Sequence, residues 1–151
     1  MGRRLLVLAA ALTVALVVPN AAVGAEEAGR PFSTALTGAA EVPGPGDADA
    51  SGSASIVLNQ GLATVCFDVS WEDIDGTVVA SHIHVGPVGV AGPVVVTLFT
   101  GEFGGTDELS GCATGVDRGL IKAIRQDPSA YYVNVHSTIF PAGAVRGQLG
   151  K

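Results

Sequence analysis

The sequence predicts an all-β protein, a β-sandwich with one short helix. Several short segments rich in β-branched and aromatic residues are separated by glycine and proline turns, which is typical of a sandwich. Glycine supplies 21 of the 151 residues, as expected for a chain with many turns. Only one segment, near residue 120, has apolar residues at helical spacing. Strands should therefore form the core, with the helix as a cover.

The N-terminus predicts a secretory signal peptide over residues 1–25. Two arginines, Arg3 and Arg4, precede an apolar run from Leu5 to Val18, and a small-residue cleavage site follows at residues 23–25. The run is shorter than the roughly 18 residues that span a bilayer, so we expect cleavage and no membrane span afterwards. The product is therefore expected to be secreted, either extracellular or held in the cell envelope.

Cleavage would leave 126 residues (151 − 25), enough for one domain with a hydrophobic core. Residues 26–31 are predicted to be a short leader and residues 32–150 the domain. Six Lys and Arg would then face fourteen Asp and Glu, a net charge of −8 (6 − 14). Nucleic acid is not expected as a partner, because its binding needs a basic surface. Asp47 and Asp49 lie in a Pro/Gly-rich loop, where solvation is expected rather than calcium binding.

Seven segments are predicted to be strands, because each combines β-branched or aromatic residues with turn residues at its ends. They are Phe32–Thr37, Ser53–Asn59, Ala63–Trp71, Val78–Val85, Val94–Phe99, Tyr131–His136 and Ala144–Leu149. Gln60 and Gly61 predict a tight hairpin turn between the second and third of these segments. The Val94–Phe99 segment is nearly all apolar, which predicts a central strand. Residues 101–110 are predicted to be a glycine-rich excursion.

One helix is predicted from Asp117 to Gln126. Asp117 is a good N-cap residue, Ile121 and Ile124 belong to one apolar stripe, and Pro128 lies just beyond the end. A short helix with a single apolar stripe is expected to lie on the sheet.

The two cysteines, Cys66 and Cys112, are predicted to form a disulfide. A signal peptide directs both to an oxidising compartment, where pairing is the expected state. The alternative is a pair of thiolate metal ligands, but no C-x-x-C motif accompanies them.

The three histidines are the residues with the clearest chemistry. Side chains alternate along a strand, so His82 and His84 project from one face of the segment 78–85. If the strand that carries His136 lies beside it, three imidazoles converge, and neutral imidazole is a good ligand for copper or zinc. The alternative is a polar cluster with Tyr132 and Asn134 that fixes the strand register through hydrogen bonds.

No catalytic site is predicted. Ser81 and Ser137 are next to histidines in the sequence, but adjacent residues on a strand face opposite ways, so neither forms a nucleophile–base pair. Arg146 is expected to pair with a carboxylate such as Asp68 rather than to bind an acidic ligand. The sequence therefore favours a protein without enzymatic activity.

Several runs of the chain resemble the CHRD domain, the module named after chordin and also found singly in secreted bacterial proteins. They are Ala80–Gly86, Gly92–Val95, Asp127–His136 and Pro141–Leu149. The resemblance covers roughly residues 32–150. It implies a secreted, immunoglobulin-like β-sandwich that acts as an extracellular binding or structural module. Its partner would be an extracellular protein or glycan.

A weaker, local similarity is to copper-zinc superoxide dismutase, a Greek-key β-sandwich with a disulfide and a His-x-His strand. By that analogy His82, His84 and His136 would be copper ligands. The dismutase uses further histidines, whereas this chain has three in all, so dismutase activity is not implied. The alternative function is therefore metal binding, with copper or zinc as the ion and redox activity as a further hypothesis.

Overall fold

The computed structural model describes residues 31–150, so the predicted signal peptide and most of the predicted leader lie outside the described residues. The described chain is mostly β, with one α-helix, as predicted. The strands are β1 (Phe32–Thr37), β2 (Ser51–Asn59), β3 (Thr64–Glu72), β4 (Val78–Val85), β5 (Val94–Phe103), β6 (Glu108–Thr114), β7 (Tyr131–Ser137) and β8 (Val145–Gln148). The helix α1 spans Arg118–Gln126, and short 3₁₀ turns lie at Gly38–Ala40 and Pro128–Ala130.

The eight strands form one antiparallel sheet in the order β5-β4-β7-β8-β1-β2-β3-β6. The prediction that Val94–Phe99 is a central strand is wrong, because β5 lies at one edge of the sheet. Its apolar residues pack inward at Val96, Leu98 and Phe99, whereas Thr97 and Val94 are exposed. The apolar run Val94–Phe99 is therefore an edge strand with one face packed against the core.

The predicted glycine-rich excursion at residues 101–110 is a second error. β5 continues to Phe103, and β6 begins at Glu108 and pairs with β3 from Thr64↔Thr114 to Ser70↔Glu108. The strand pattern of β6 is weak because most of its side chains are small and exposed. The β2–β3 connection is also longer than predicted, since it runs over residues 60–63.

The hydrophobic core lies between the inner faces of the curled sheet. β3 alternates as predicted, with Val65, Phe67, Val69 and Trp71 all buried. The helix adds Ile121 and Ile124 to this core. Its N-terminus is capped as expected from the sequence: the Leu120 amide donates to Asp117 Oδ1 at 2.8 Å. Among residues 31–150, no helix is long and apolar enough to cross a membrane.

The two halves of the sheet differ on their outer faces. The serine half consists of β1, β2, β3 and β6, and its outer face carries small polar side chains such as Ser33, Ser53 and Ser110, all exposed. The predicted disulfide joins Cys66 to Cys112, which are directly opposite in β3 and β6. The histidine half consists of β5, β4, β7 and β8. Loop residues cover much of its outer face, and all seven residues of β7 are buried.

Candidate metal centre

The pairing of β4 with β7 brings the three histidines together. Ala80 lies opposite His136, and His82 lies opposite Asn134, so the imidazoles occupy neighbouring positions on one face. The ring centroids are 4.9 Å apart for His82 and His136, 5.8 Å for His82 and His84, and 6.1 Å for His84 and His136. One nitrogen from each ring lies within 4.8 Å of the others. Because a metal–nitrogen bond is about 2.0–2.1 Å long, one ion could bind all three rings after they move slightly closer together.

The cluster lies on the outer face of the histidine half, opposite the core. Ile83, which lies between His82 and His84 on β4, is fully buried on the inner side. His84 and His136 are 8 % and 9 % exposed, whereas His82 is partly exposed. The cluster is therefore closed on two sides, and solvent reaches it beside His82.

Two backbone carbonyls fix the orientation of two of the rings. His84 Nδ1 lies 2.8 Å from the Gly92 carbonyl oxygen, and His136 Nδ1 lies 3.1 Å from that of Pro141. A carbonyl oxygen only accepts hydrogen bonds, so each Nδ1 must carry the proton. In the neutral ring the lone pair is then on Nε2. This arrangement, in which a backbone group holds the far nitrogen of a ring, is the usual support for a metal-ligating histidine.

The nitrogens that remain are buried without a hydrogen-bond partner. Among the described residues, five buried side-chain oxygen or nitrogen atoms lack a partner, and three of them belong to the histidines: His82 Nδ1, His84 Nε2 and His136 Nε2. An unpaired buried polar atom costs about 1–3 kcal/mol. Each ring thus contributes one unpaired nitrogen, which is the donor set that a bound cation requires.

Burial also favours the neutral form of His82 and His136. The pKa of His82 is lowered to about 4, chiefly by burial, with smaller contributions from the neighbouring His136 and His84 rings. Burial lowers the pKa of His136 as well, with a smaller contribution from His84 in the same direction, while the bond to Pro141 opposes the shift. A neutral imidazole keeps the lone pair that binds a metal, so the environment favours the ligand form at neutral pH.

The loop of residues 86–93, which supplies the Gly92 carbonyl, is held by two side chains of β8. Arg146 donates to the carbonyls of Val90 and Pro87, each at 3.1 Å, and Gln148 donates to the Gly86 carbonyl at 2.8 Å. The predicted Arg146–Asp68 pair is therefore wrong: Asp68 is exposed on β3 in the serine half, and Arg146 is buried in the histidine half.

A buried carboxyl, Glu41, lies beside the second supporting turn. A Cβ at Gly143 would lie against the Glu41 carboxylate, and the φ of 140° at this position also favours glycine. Burial raises the pKa of Glu41 to about 7, although the Arg146 charge and hydrogen bonds from Val42 and Asn134 oppose that shift. The burial of Glu41 was not predictable from the sequence, because Glu41 lies in an irregular Pro/Gly-rich loop that carries no periodic signal.

Other residues considered from the sequence have structural contacts. Ser81 Oγ donates to the Asn134 carbonyl at 2.8 Å, and Ser137 Oγ donates to the Asp75 carbonyl at 2.7 Å. Asp47, expected to be solvated, is buried and accepts a hydrogen bond from the Asp75 amide at 2.7 Å. The loop that carries Asp47 is pinned by the bond from its amide to the Ala144 carbonyl at 2.9 Å.

Fold and site together define an all-β, disulfide-bonded module with a three-histidine cluster on one outer face. Comparison with known families places it further: residues 32–149 match the CHRD domain, and the chain belongs to that family. CHRD domains are generally extracellular and fit a binding or structural role, which agrees with the disulfide. No curated protein and no solved structure matches the chain.

Proposed function

We propose that the protein is secreted and acts as an extracellular binding module, and that it binds one copper or zinc ion through His82, His84 and His136. The observation that carries this proposal is the set of three buried nitrogens, one from each ring, that have no hydrogen-bond partner. The ligand atoms would be Nδ1 of His82 and Nε2 of the other two histidines.

The donor set indicates the class of metal. Three neutral imidazoles without a carboxylate or thiolate suit copper and zinc, whereas calcium and magnesium prefer oxygen ligands. Three protein ligands leave a coordination position for water or another small ligand, and the partly exposed side at His82 is where solvent has access. Redox activity with copper is a further part of the proposal that depends on metal binding.

Secretion is tested by recovering the protein from the medium or the cell envelope and sequencing its N-terminus. The expected N-terminus is near Glu26, after removal of residues 1–25. Recovery of the full-length chain in the cytoplasm would contradict this part of the proposal.

Metal binding is tested by competition with a chelator and by calorimetry on the exported protein. We expect one ion per chain, and a loss of affinity of at least roughly 100-fold in His84→Ala and in His136→Ala, because each variant removes one of three ligands. A matched control is Asn134→Ala on the same face of β7, which leaves all three ligands in place. Circular dichroism checks the fold of each variant.

If the folded wild type binds neither metal, the histidines are a structural polar cluster and the metal proposal is wrong. The binding module would then recognise its partner, an extracellular protein or glycan, through another surface.

A further inference from the structure

Arg146 is a charged side chain in an unusual place. It is 2 % exposed and is among the largest fully buried side chains of the described residues. A buried charge is costly unless strong hydrogen bonds satisfy it. Its guanidinium donates to three oxygens, the carbonyls of Val90 and Pro87 and the Gln148 side chain, at 3.1, 3.1 and 3.4 Å. Two of these acceptors belong to one loop, residues 86–93.

That loop determines where the edge of the His84 ring is held. Its Gly92 carbonyl accepts the hydrogen bond from His84 Nδ1. The Tyr132 hydroxyl adds a second connection to the same residue, since it lies 3.2 Å from the Gly92 amide and 3.3 Å from the Gly92 carbonyl. Arg146 thus holds the loop whose Gly92 carbonyl fixes the His84 tautomer.

Arg146 also supports the face of the His84 ring, through the ring of Tyr132. Its Cζ lies 3.4 Å from the centroid of the Tyr132 ring, within the range of a cation–π contact. The Tyr132 ring in turn stacks on His84, with centroids 4.8 Å apart and planes only 10° from parallel. Tyr132 is on β7, between β4 with His84 and β8 with Arg146, so guanidinium, phenol and imidazole form one continuous stack.

We infer that Arg146 is a positioning residue of the histidine cluster: through the Tyr132 stack and the 86–93 loop it holds His84 with Nδ1 protonated and Nε2 directed at the metal position. The consequence for metal affinity rests on the proposed function, but the effect on the His84 ring does not. His136 donates the hydrogen bond from its Nδ1 to the Pro141 carbonyl, outside this loop, and so serves as an internal reference.

Lysine cannot replace arginine in this role. The planar guanidinium presents several donors in a rigid fork and stacks on an aromatic face, whereas an ammonium is a compact, strongly hydrated charge. Arg146→Lys therefore keeps the positive charge but loses the stack and at least one of the two carbonyl bonds. Arg118→Lys is the matched control, since exposed Arg118 makes a hydrogen bond to the Gly61 carbonyl in the serine half.

The first measurement is made without metal. Long-range proton–nitrogen NMR spectra of the exported protein report which nitrogen of each imidazole carries the proton. We expect His84 and His136 both to be protonated on Nδ1 in the wild type, and Arg146→Lys to give a mixture of tautomers at His84 while His136 is unchanged. Arg118→Lys should leave both rings unchanged.

The second measurement is the copper and zinc affinity of the same variants. Removing a group that orients a metal ligand typically lowers affinity by roughly 10- to 100-fold, and we expect a loss in that range for Arg146→Lys and none for Arg118→Lys. A wild type that binds no metal, with the His84 tautomer still disturbed by Arg146→Lys, would refute the proposed function and leave the positioning role intact.

A folded Arg146→Lys variant with an unchanged His84 tautomer would overturn the inference. If that variant does not fold, Arg146→Gln decides the question, because glutamine keeps an amide that can donate to a loop carbonyl but removes the guanidinium that stacks on Tyr132. The expected result is again a disturbed His84 and an unchanged His136. An undisturbed His84 in folded Arg146→Gln would overturn the inference equally.

Discussion

The two halves of the sheet differ in how far their outer faces are exposed to solvent. In the serine half, small polar side chains face solvent, and a disulfide links two neighbouring strands. In the histidine half, loops cover large polar and aromatic side chains. All five buried oxygen and nitrogen atoms that lack a partner within residues 31–150 belong to this half or to the loop above it.

The difference separates stability from function. A solvated serine needs no particular neighbour, because water satisfies it at every orientation. A buried imidazole or carboxyl needs a partner, and leaving it without one lowers stability unless a ligand supplies the missing contact. Local departures of this kind are expected at functional sites. The covalent reinforcement lies in the serine half, and we propose that the binding function lies in the histidine half.

The largest expected effect is on the serine half. Replacing Cys66 and Cys112 together by serine should lower the free energy of unfolding by about 4 kcal/mol, because the disulfide closes a chain segment with a sequence separation of 46 residues. Urea unfolding at neutral pH measures this change. The metal affinity should stay at its wild-type value. A large loss of affinity in the folded variant would show that the halves are not independent.

The next effect concerns the buried carboxyl of the histidine half. The pKa of Glu41 is raised from 4.5 to about 7, so the folded chain holds a proton that the unfolded chain releases. The contribution of Glu41 is therefore most favourable below about pH 4.5 and is lost as the pH rises through about 7. Glu41→Gln should remove this loss and be more stable than wild type by roughly 2 kcal/mol at about pH 8.

The measurement is the difference in unfolding free energy between Glu41→Gln and wild type from about pH 5 to pH 8. Both chains keep all three histidines, so the protonation of those rings largely cancels in the difference. A difference that does not change with pH would contradict the raised pKa.

The smallest expected effect is the difference in stability cost between the same substitution, serine to alanine, in the two halves. Ser137 is fully buried, and its hydroxyl donates to the Asp75 carbonyl and lies 3.1 Å from the Phe140 amide. Ser137→Ala should cost about 2 kcal/mol, because it leaves those groups unpaired. Ser53→Ala removes an exposed hydroxyl that pairs with Ser70 at 2.9 Å, and should cost at most about 0.5 kcal/mol. Equal costs in thermal or urea unfolding would contradict the difference between a buried hydroxyl with fixed partners and a solvated one.

Much of the fold follows from local pattern. The alternation in β3, the capped helix at Asp117 and the shared face of His82 and His84 are all set by residues close together in the chain. The edge position of β5 and the existence of β6 were not predictable in this way. Strand order depends on pairing between distant segments, and the small side chains of β6 carry almost no periodic signal.

The site was predictable only in part. The His-x-His spacing and the strand around His136 identified the three rings, but their convergence required β4 to pair with β7, which periodicity does not determine. The supporting groups were harder still. The carbonyls of Gly92 and Pro141 are backbone atoms, and the loop with Glu41 folds over the sheet through long-range contacts, so neither leaves a pattern in the sequence.

The most direct test of the three-histidine site is to identify the nitrogens that contact the metal. Long-range proton–nitrogen NMR spectra of the purified protein are recorded before and after the addition of zinc. We expect zinc to perturb Nδ1 of His82 and Nε2 of His84 and His136, while Nδ1 of His84 and His136 keep their protons. Spectra that do not change with zinc, or coordination through Nδ1 of His84 or His136, would contradict this prediction.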